Sequence, residues 1–96
     1  METINLFGKV IIEFYELGCL NCQSMIPVIN YLERIRPEIN FYRVQVNDYP
    51  NLVQKYQISS LPTLLIFRNG QMISKIVGLK APQVLQNMID RIFDYT

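Results

Sequence analysis

The spacing of hydrophobic residues changes several times along the chain, and each spacing predicts one kind of secondary structure. Runs dense in β-branched and aromatic residues predict strands, at residues 9–15, 39–46, 63–68 and 71–77. Apolar residues three and four positions apart predict helices, at residues 22–35, 51–56 and 82–93. The expected order is strand, helix, strand, helix, strand, strand and helix.

Prolines and glycines mark the boundaries of these elements. Pro27 falls inside the first helical pattern and is expected to kink that helix, which ends before Pro37. Asn69-Gly70 lies between two strand patterns and predicts a tight antiparallel hairpin. Residues 1–8 are weakly patterned, and they are compatible with either a short helix or an irregular lead-in.

The order of the elements predicts an α/β fold in a single domain that spans residues 1–96. A strand–helix–strand unit with a right-handed crossover makes its two strands parallel, and the hairpin adds two antiparallel strands. The expected architecture is a mixed sheet of about four strands flanked by about three helices, with helices on both faces.

Composition argues against several classes of function. Nine basic and eight acidic residues leave a net charge of +1, without a basic cluster that would attract nucleic acid or a membrane surface. The apolar runs are too short to span a bilayer, and the first residues lack the basic and apolar segments of a signal peptide. We therefore expect a cytoplasmic monomer that binds neither nucleic acid nor membranes.

The chain has two cysteines and no histidine. Cys19 and Cys22 are separated by two residues, where the first strand pattern gives way to the first helix. This spacing lets one thiolate attack a disulfide while the second resolves the mixed disulfide, and a helix that begins at the pair stabilises the attacking thiolate. The same spacing forms half of many zinc sites, but the remaining ligands could come only from a dimer.

Several motifs within residues 9–93 together resemble the thioredoxin family. Phe14-Tyr15 followed by the cysteine pair resembles the family's strand and active-site loop, and Pro27 is at the position of the proline inside its active-site helix. Residues 58–70 (ISSLPTLLIFRNG) resemble its cis-proline loop and hairpin, and Val77-Gly78 resembles the pair that borders its substrate groove. The chain is accordingly identified as a member of this family with the thioredoxin fold.

The sequence departs from the family pattern around the cysteines. The usual Trp-Cys-Gly-Pro-Cys-Lys is replaced by residues 18–23 (GCLNCQ), so the tryptophan, the proline and the lysine are lost. The family's buried aspartate is matched by Glu13, and the lysine that often pairs with it is matched by Arg43. By this alignment we expect the family's first strand and helix to be largely missing or reduced to residues 1–8. These departures bear on substrates and redox potential, whereas the dithiol chemistry remains available.

The resemblance implies a thiol–disulfide oxidoreductase with Cys19, Cys22 and Glu13 as its catalytic residues. Cys19 is expected to attack, with a pKa modestly below the free value of about 8.5, because the helix start favours the thiolate whereas Glu16 opposes it. Cys22 is expected to resolve the mixed disulfide. Glu13, in an interior strand, is expected to have a raised pKa and to accept the proton from Cys22. The alternatives for Glu13 are a glutamate that reaches solvent from an edge strand or by snorkelling, and a structural pair with Arg43.

The same resemblance implies a peptide-binding groove beside the cysteines. Pro62 is the cis-proline candidate, and it would hold the backbone of Leu61 ready to pair with an extended substrate by strand addition. Leu20 and Gly78, with Leu79, are expected to line the rest of this shallow apolar groove. The alternative is that these are scattered surface hydrophobic residues without a function.

The implied partners are proteins that carry disulfides, with a reductase or a low-molecular-weight thiol as the electron donor. No organic cofactor and no metal are expected, because the Cys19–Cys22 pair itself carries the electrons. The alternative function is a non-catalytic thioredoxin-fold adaptor with vestigial or regulatory cysteines, which the Leu20-Asn21 spacer and the lost tryptophan make credible. A metal-binding dimer held by paired cysteines is a further alternative.

Overall fold

The strands form where the β-branched and aromatic runs predict them. In the computed structural model, which describes residues 4–94, four strands and three α-helices occur in the expected order. The strands are β1 (Lys9–Tyr15), β2 (Asn40–Gln45), β3 (Thr63–Arg68) and β4 (Gln71–Val77). The helices are α1 (Leu20–Ile35), α2 (Pro50–Lys55) and α3 (Pro82–Asp94), and a 3₁₀ turn spans Val46–Asp48.

The sheet has the strand order β2–β1–β3–β4, so β1 and β3 are its interior strands. β1 is parallel to β2 and antiparallel to β3, and β3 is antiparallel to β4, which confirms the predicted mixed sheet. Phe14 pairs with Thr63, and Thr63 pairs with Val77. The loop after β1, the loop before β3 and the loop after β4 therefore emerge at the same end of the sheet.

Alternation along β1 divides the core into two layers. Ile11 belongs to a cluster with buried residues of α1 and α3. Val10, Ile12 and Phe14 belong to the opposite cluster, against which side chains of α2 and its neighbouring loops pack. Helices therefore cover both faces, as predicted. Glu13 has the parity of Ile11, so its side chain enters the layer beneath α1 and α3.

The apolar pattern of residues 22–35 predicts that Met25, Ile26, Val28, Ile29, Leu32 and Ile35 share one buried face of α1, and this prediction needs a correction at its edges. Met25, Val28, Ile29 and Leu32 are buried, but Ile26 and Ile35 are exposed because they lie at the margins of the buried stripe. Val84 on α3 is exposed for the same reason. α1 begins at Leu20, two residues before the predicted start, and it continues as one helix through Pro27. The kink at Pro27 stays a prediction.

The hairpin between β3 and β4 has the predicted bounds. Asn69 and Gly70 have φ values of 49° and 86°, in the left-handed region that a two-residue turn of this kind requires. Ile66 of β3 pairs with Ser74 of β4, but the next residue, Phe67, pairs with Met72. One residue of β4 is thus left unpaired between these two pairs and forms a β-bulge. The strand pattern did not reveal this bulge.

The lead-in before β1 is irregular and is held by the hairpin turn. The carbonyl oxygens of Leu6 and Gly8 accept hydrogen bonds from the backbone N–H groups of Gly70 and Asn69, at 2.8 Å and 2.9 Å. Residues 4–8 form neither helix nor strand, so the short-helix alternative is wrong for this part, and residues 1–3 lie outside the described residues. None of the helices within residues 4–94 has the length and apolar character needed to cross a membrane.

Candidate functional site

The two cysteines lie in the loop and first helical turn that follow β1. β1 ends at Tyr15, and the chain turns at Gly18, whose φ of 85° is in the region that favours glycine. Cys19 and Cys22 are joined by a disulfide, with their Cα atoms 5.2 Å apart. The short connection thus places a two-electron redox pair at the same end of the sheet as Pro62 and Gly78.

The two sulfur atoms have different surroundings. Cys19 is the N-cap of α1, and its Sγ accepts a hydrogen bond of 3.1 Å from the backbone N–H of Cys22. Cys19 is half-buried, whereas Cys22 is only 2% exposed. Backbone N–H groups and the helix dipole at an N-terminus favour negative charge. Cys19 is therefore the more exposed of the two cysteines, and its sulfur lies at the N-terminus of α1.

Glu13 is a buried carboxylate paired with a more exposed cation. Glu13 is 1% exposed, and the Nε of Arg43 donates a hydrogen bond of 2.9 Å to its Oε1. The pair follows from register, because Glu13 on β1 lies opposite Arg43 on β2. The guanidinium of Arg43 also lies over the ring of Tyr15, 4.2 Å from its centroid. The other oxygen of Glu13, Oε2, is buried without a hydrogen-bond partner.

Burial raises the pKa of Glu13 above its usual value of 4.5. The hydrogen bond from Arg43 and its positive charge act in the opposite direction, but they do not offset the loss of solvation. Repulsion from Glu33 adds a smaller effect that raises the pKa further. The predicted direction is confirmed, and the predicted pairing with Arg43 is present as well.

A pocket of about 250 Å³ opens beside the disulfide. Its apolar lining comes from Tyr15, Leu17 and Ile26, and Cys22 and Arg43 also line it. Arg43 therefore contacts the buried carboxylate and also lines the space next to the buried sulfur. No local pattern in the sequence predicts this pocket, since the pocket requires β1, β2 and α1 to be packed together.

The loop before β3 has the expected proline geometry. The Leu61–Pro62 peptide bond is cis, which confirms that prediction. The carbonyl oxygen of Pro62 accepts a hydrogen bond of 2.8 Å from the N–H of Gly78, so these two residues are adjacent. Leu61 is half-buried, and its side chain packs against the core cluster on the α2 face. Within residues 4–94, the backbone N–H and C=O of Leu61 have no hydrogen-bond partner.

The exposed apolar residues near the disulfide include one that the sequence analysis did not single out. Leu20 is 77% exposed at the first position of α1, and Leu79 is also exposed. Leu17, in the loop before Cys19, is 76% exposed. A leucine in an unpatterned loop carries no periodic signal, and only the fold shows that Leu17 lies at the rim of the pocket beside Cys22.

The described residues offer little to a metal ion. No group of three or more His, Cys, Asp or Glu side chains within residues 4–94 is arranged to hold one. Cys19 and Cys22 are the only cysteines of the chain, which contains no histidine. Zinc binding at the cysteines would thus require that the disulfide is first reduced and that a second molecule supplies the remaining ligands.

Comparison with known proteins agrees with this geometry. The family model described as Thioredoxin matches residues 2–91. The chain is 32% identical to thioredoxin-1 of Saccharomyces cerevisiae over 77 residues, which cover 80% of this chain and 75% of that protein. It is also 32% identical to thioredoxin of Chlamydia caviae over 93 residues, covering 94% and 91% of the two chains.

A solved structure supports the same assignment. The oxidised form of mitochondrial thioredoxin 3 from Saccharomyces cerevisiae superposes with a TM-score of 0.80 at 29% identity, covering 85% of this chain and 76% of that one. The chain belongs to the thioredoxin family. It is a thiol–disulfide oxidoreductase, and Cys19 and Cys22 form its disulfide pair.

The raised pKa of Glu13 predicts a pH-dependent stability. The carboxylate of Glu13 binds a proton more tightly in the folded state than in the unfolded state, where its pKa is near 4.5. Protonation of Glu13 therefore contributes fully to stability below about pH 4.5. The contribution is lost as the pH rises through the folded pKa. We expect the free energy of unfolding of the wild type, relative to Glu13→Gln, to fall as the pH rises from 4.5.

Urea denaturation of both proteins between about pH 4 and pH 8 would measure this difference. The disulfide is kept intact so that no thiol titrates, and glutamine keeps an acceptor for the Nε of Arg43. Groups that titrate alike in the two proteins cancel in the comparison. A difference that is independent of pH, or that grows in favour of the wild type, would contradict the raised pKa.

Proposed function

We propose that Cys19 attacks the disulfides of protein substrates and that Cys22 resolves the mixed disulfide. The observation that supports this order is the contrast in exposure: solvent reaches Cys19, whereas Cys22 is 2% exposed. A macromolecular disulfide can approach only the sulfur that is accessible. The hydrogen bond from the N–H of Cys22 to Sγ of Cys19 also favours the charged sulfur at that position.

The proposed cycle starts from the reduced dithiol. The Cys19 thiolate attacks one sulfur of the substrate disulfide, forms a mixed disulfide and releases the other substrate sulfur, which takes up a proton. The Cys22 thiolate then attacks Sγ of Cys19, reforms the Cys19–Cys22 disulfide and releases the second substrate thiol. The substrate gains two electrons and two protons, and the dithiol loses them.

Glu13 is proposed to accept the proton that Cys22 must lose before it attacks. A buried thiol has little water to take that proton. Glu13 is buried as well, and it has the parity of Ile11 on β1, whose side chain packs beneath α1. Its Oε2 has no hydrogen-bond partner, so this oxygen is free to accept the proton, while Arg43 holds Oε1. A raised pKa brings the carboxylate closer to the basicity that proton transfer at neutral pH requires.

The substrate is proposed to bind as an extended segment along Leu61 and Pro62. The unpaired N–H and C=O of Leu61 are suited to pair with the backbone of such a segment. Gly78 borders the segment on the side of β4, since its N–H is bonded to Pro62, and the absence of a side chain leaves room there. Leu20 contributes an exposed apolar contact beside Cys19.

The proposed partners follow from this cycle. Electrons return to the Cys19–Cys22 disulfide from a reductase or a low-molecular-weight thiol, and no organic cofactor takes part. A reducing compartment such as the cytoplasm suits a dithiol that must be reduced between turnovers. The proposed cycle needs only one chain, because a single chain supplies the two cysteines, Glu13 and the Leu61 backbone, and we propose a monomer.

Substitution of each cysteine by serine tests the order of attack. In a single turnover with a disulfide-closed peptide, we expect Cys19→Ser to release no thiol. Cys22→Ser should instead stop at a mixed disulfide between Cys19 and the peptide, because nothing resolves it. Mass spectrometry of the quenched reaction measures the adduct.

The wild type is the control, and it should release two thiols per disulfide without a lasting adduct. An adduct formed on Cys22 in the Cys19→Ser protein would reverse the proposed order. If the wild type released no thiol, the adaptor alternative would replace the oxidoreductase.

Replacement of Glu13 by glutamine tests the proposed proton acceptor. We expect Glu13→Gln to form the mixed disulfide at the wild-type rate at pH 7 but to resolve it about 10²-fold more slowly, because general base catalysis is lost. Rapid-quench kinetics separates the two steps. Glu38→Gln, before β2 at the opposite end of the sheet, removes an exposed carboxylate and serves as the matched control. Equal resolution rates in the wild type and Glu13→Gln would assign Glu13 to a structural role only.

A further inference from the structure

The two most exposed large apolar side chains among residues 4–94 flank the attacking cysteine. Leu17 is 76% exposed and lies two positions before Cys19, and Leu20 is 77% exposed and lies one position after it. Exposed apolar side chains scattered over a surface need no explanation. Here the two extreme values occur on either side of the one residue that a substrate has to reach.

Folding does not account for these leucines. The buried stripe of α1 runs through Met25, Ile29 and Leu32, and Leu20 lies outside it at the first helical position. Leu17 is in the loop that connects β1 to α1, and it contacts neither core cluster. Both side chains would lose unfavourable contact with water if a partner covered them. That gain is available only in a complex.

The segment around Cys19 is also uncharged. Residues 17–24 (LGCLNCQS) contain no acidic or basic side chain. Arg43 and Glu16 line the neighbouring pocket, but Arg43 is engaged by Glu13. Lys80, in the loop after β4, donates its Nζ to the carbonyl oxygen of Val77. Residues 17–24 can therefore offer a partner apolar and hydrogen-bonding contacts but no ionic ones, and Glu16 is the charged residue directly before them.

We infer that Leu17 and Leu20 select protein disulfides that have a large apolar residue next to the reacting cysteine. This inference rests on the proposed function, because the substrate segment is the one that pairs with Leu61. The apolar residue of that segment packs against the two leucines as Cys19 attacks the adjoining sulfur. The pocket beside Leu17 and Ile26, of about 250 Å³, has room for an aliphatic or aromatic side chain.

The test compares two disulfide-closed peptides that differ only at the positions next to the cysteines. One peptide has leucine on both sides of each cysteine, and the other has serine there. Hydroxyethyl disulfide, which has no side chain to recognise, measures the chemistry alone. We expect the wild type to prefer the leucine peptide about tenfold in kcat/KM, since the preference comes from apolar contact. In Leu17→Ser/Leu20→Ser the ratio for the two peptides should approach one.

The control variant is Val84→Ser, which removes an exposed apolar side chain from α3 and should keep the preference of the wild type. Circular dichroism of all variants checks that they fold. A preference that persists in 0.5 M NaCl (a concentration of about this size screens exposed charges) supports apolar recognition. A preference that disappears there overturns it, because an apolar contact does not weaken when charges are screened.

The outcomes for the inference and for the proposed function are distinct. A wild type that reduces hydroxyethyl disulfide but treats both peptides alike overturns the inference and leaves the proposed function in place. A leucine preference that survives in the double variant also overturns it. If the wild type reduces neither hydroxyethyl disulfide nor the peptides, the proposed function itself is contradicted. Suppose that the wild type reduces both peptides at equal rates and binds phosphatidylcholine vesicles, whereas Leu17→Ser/Leu20→Ser does not bind them. The two leucines would then be assigned to a lipid surface instead.

Discussion

The pairing of β1 with β3, and of β3 with β4, is the constraint on which the site depends. Phe14, Thr63 and Val77 lie side by side, so the cysteine loop, the Leu61–Pro62 loop and the Gly78 loop leave the sheet at one end. A shift of one residue in the register of β1 with β3 would also turn the buried side chains of β1 to the opposite face. The same pairing thus holds the core together and assembles the reactive end of the molecule.

Much of the fold follows from local pattern, because the strongest signals are short in range. The runs at β1 and at the hairpin have strand bounds that match the expectation, and Asn69-Gly70 supplies a turn that few other dipeptides can form. The bulge after Ile66 and the docking of residues 4–8 on the hairpin turn depend on contacts between distant parts of the chain. The periodicity of hydrophobic residues does not predict such long-range contacts.

The site divides in a similar way. The cysteine spacing predicts the chemistry, and the resemblance places Glu13, Arg43 and Pro62, but none of these signals shows which atoms lack partners. Within residues 4–94, Oε2 of Glu13 and the backbone of Leu61 lack hydrogen-bond partners, and only the folded structure shows this. The exchange of the family's aspartate and lysine for glutamate and arginine keeps a buried acid beside a cation. Burial outweighs that cation, so the acid still has a raised pKa.

The redox equilibrium of Cys19 and Cys22 shows whether this pair carries electrons. The protein is equilibrated with graded ratios of reduced to oxidised dithiothreitol, and the free thiols are alkylated and counted by mass spectrometry. We expect a single two-electron transition in the wild type, in the range of thioredoxins at about −270 mV. If the Cys19–Cys22 disulfide did not form at any of these ratios, the assignment of this pair as the redox centre would be contradicted.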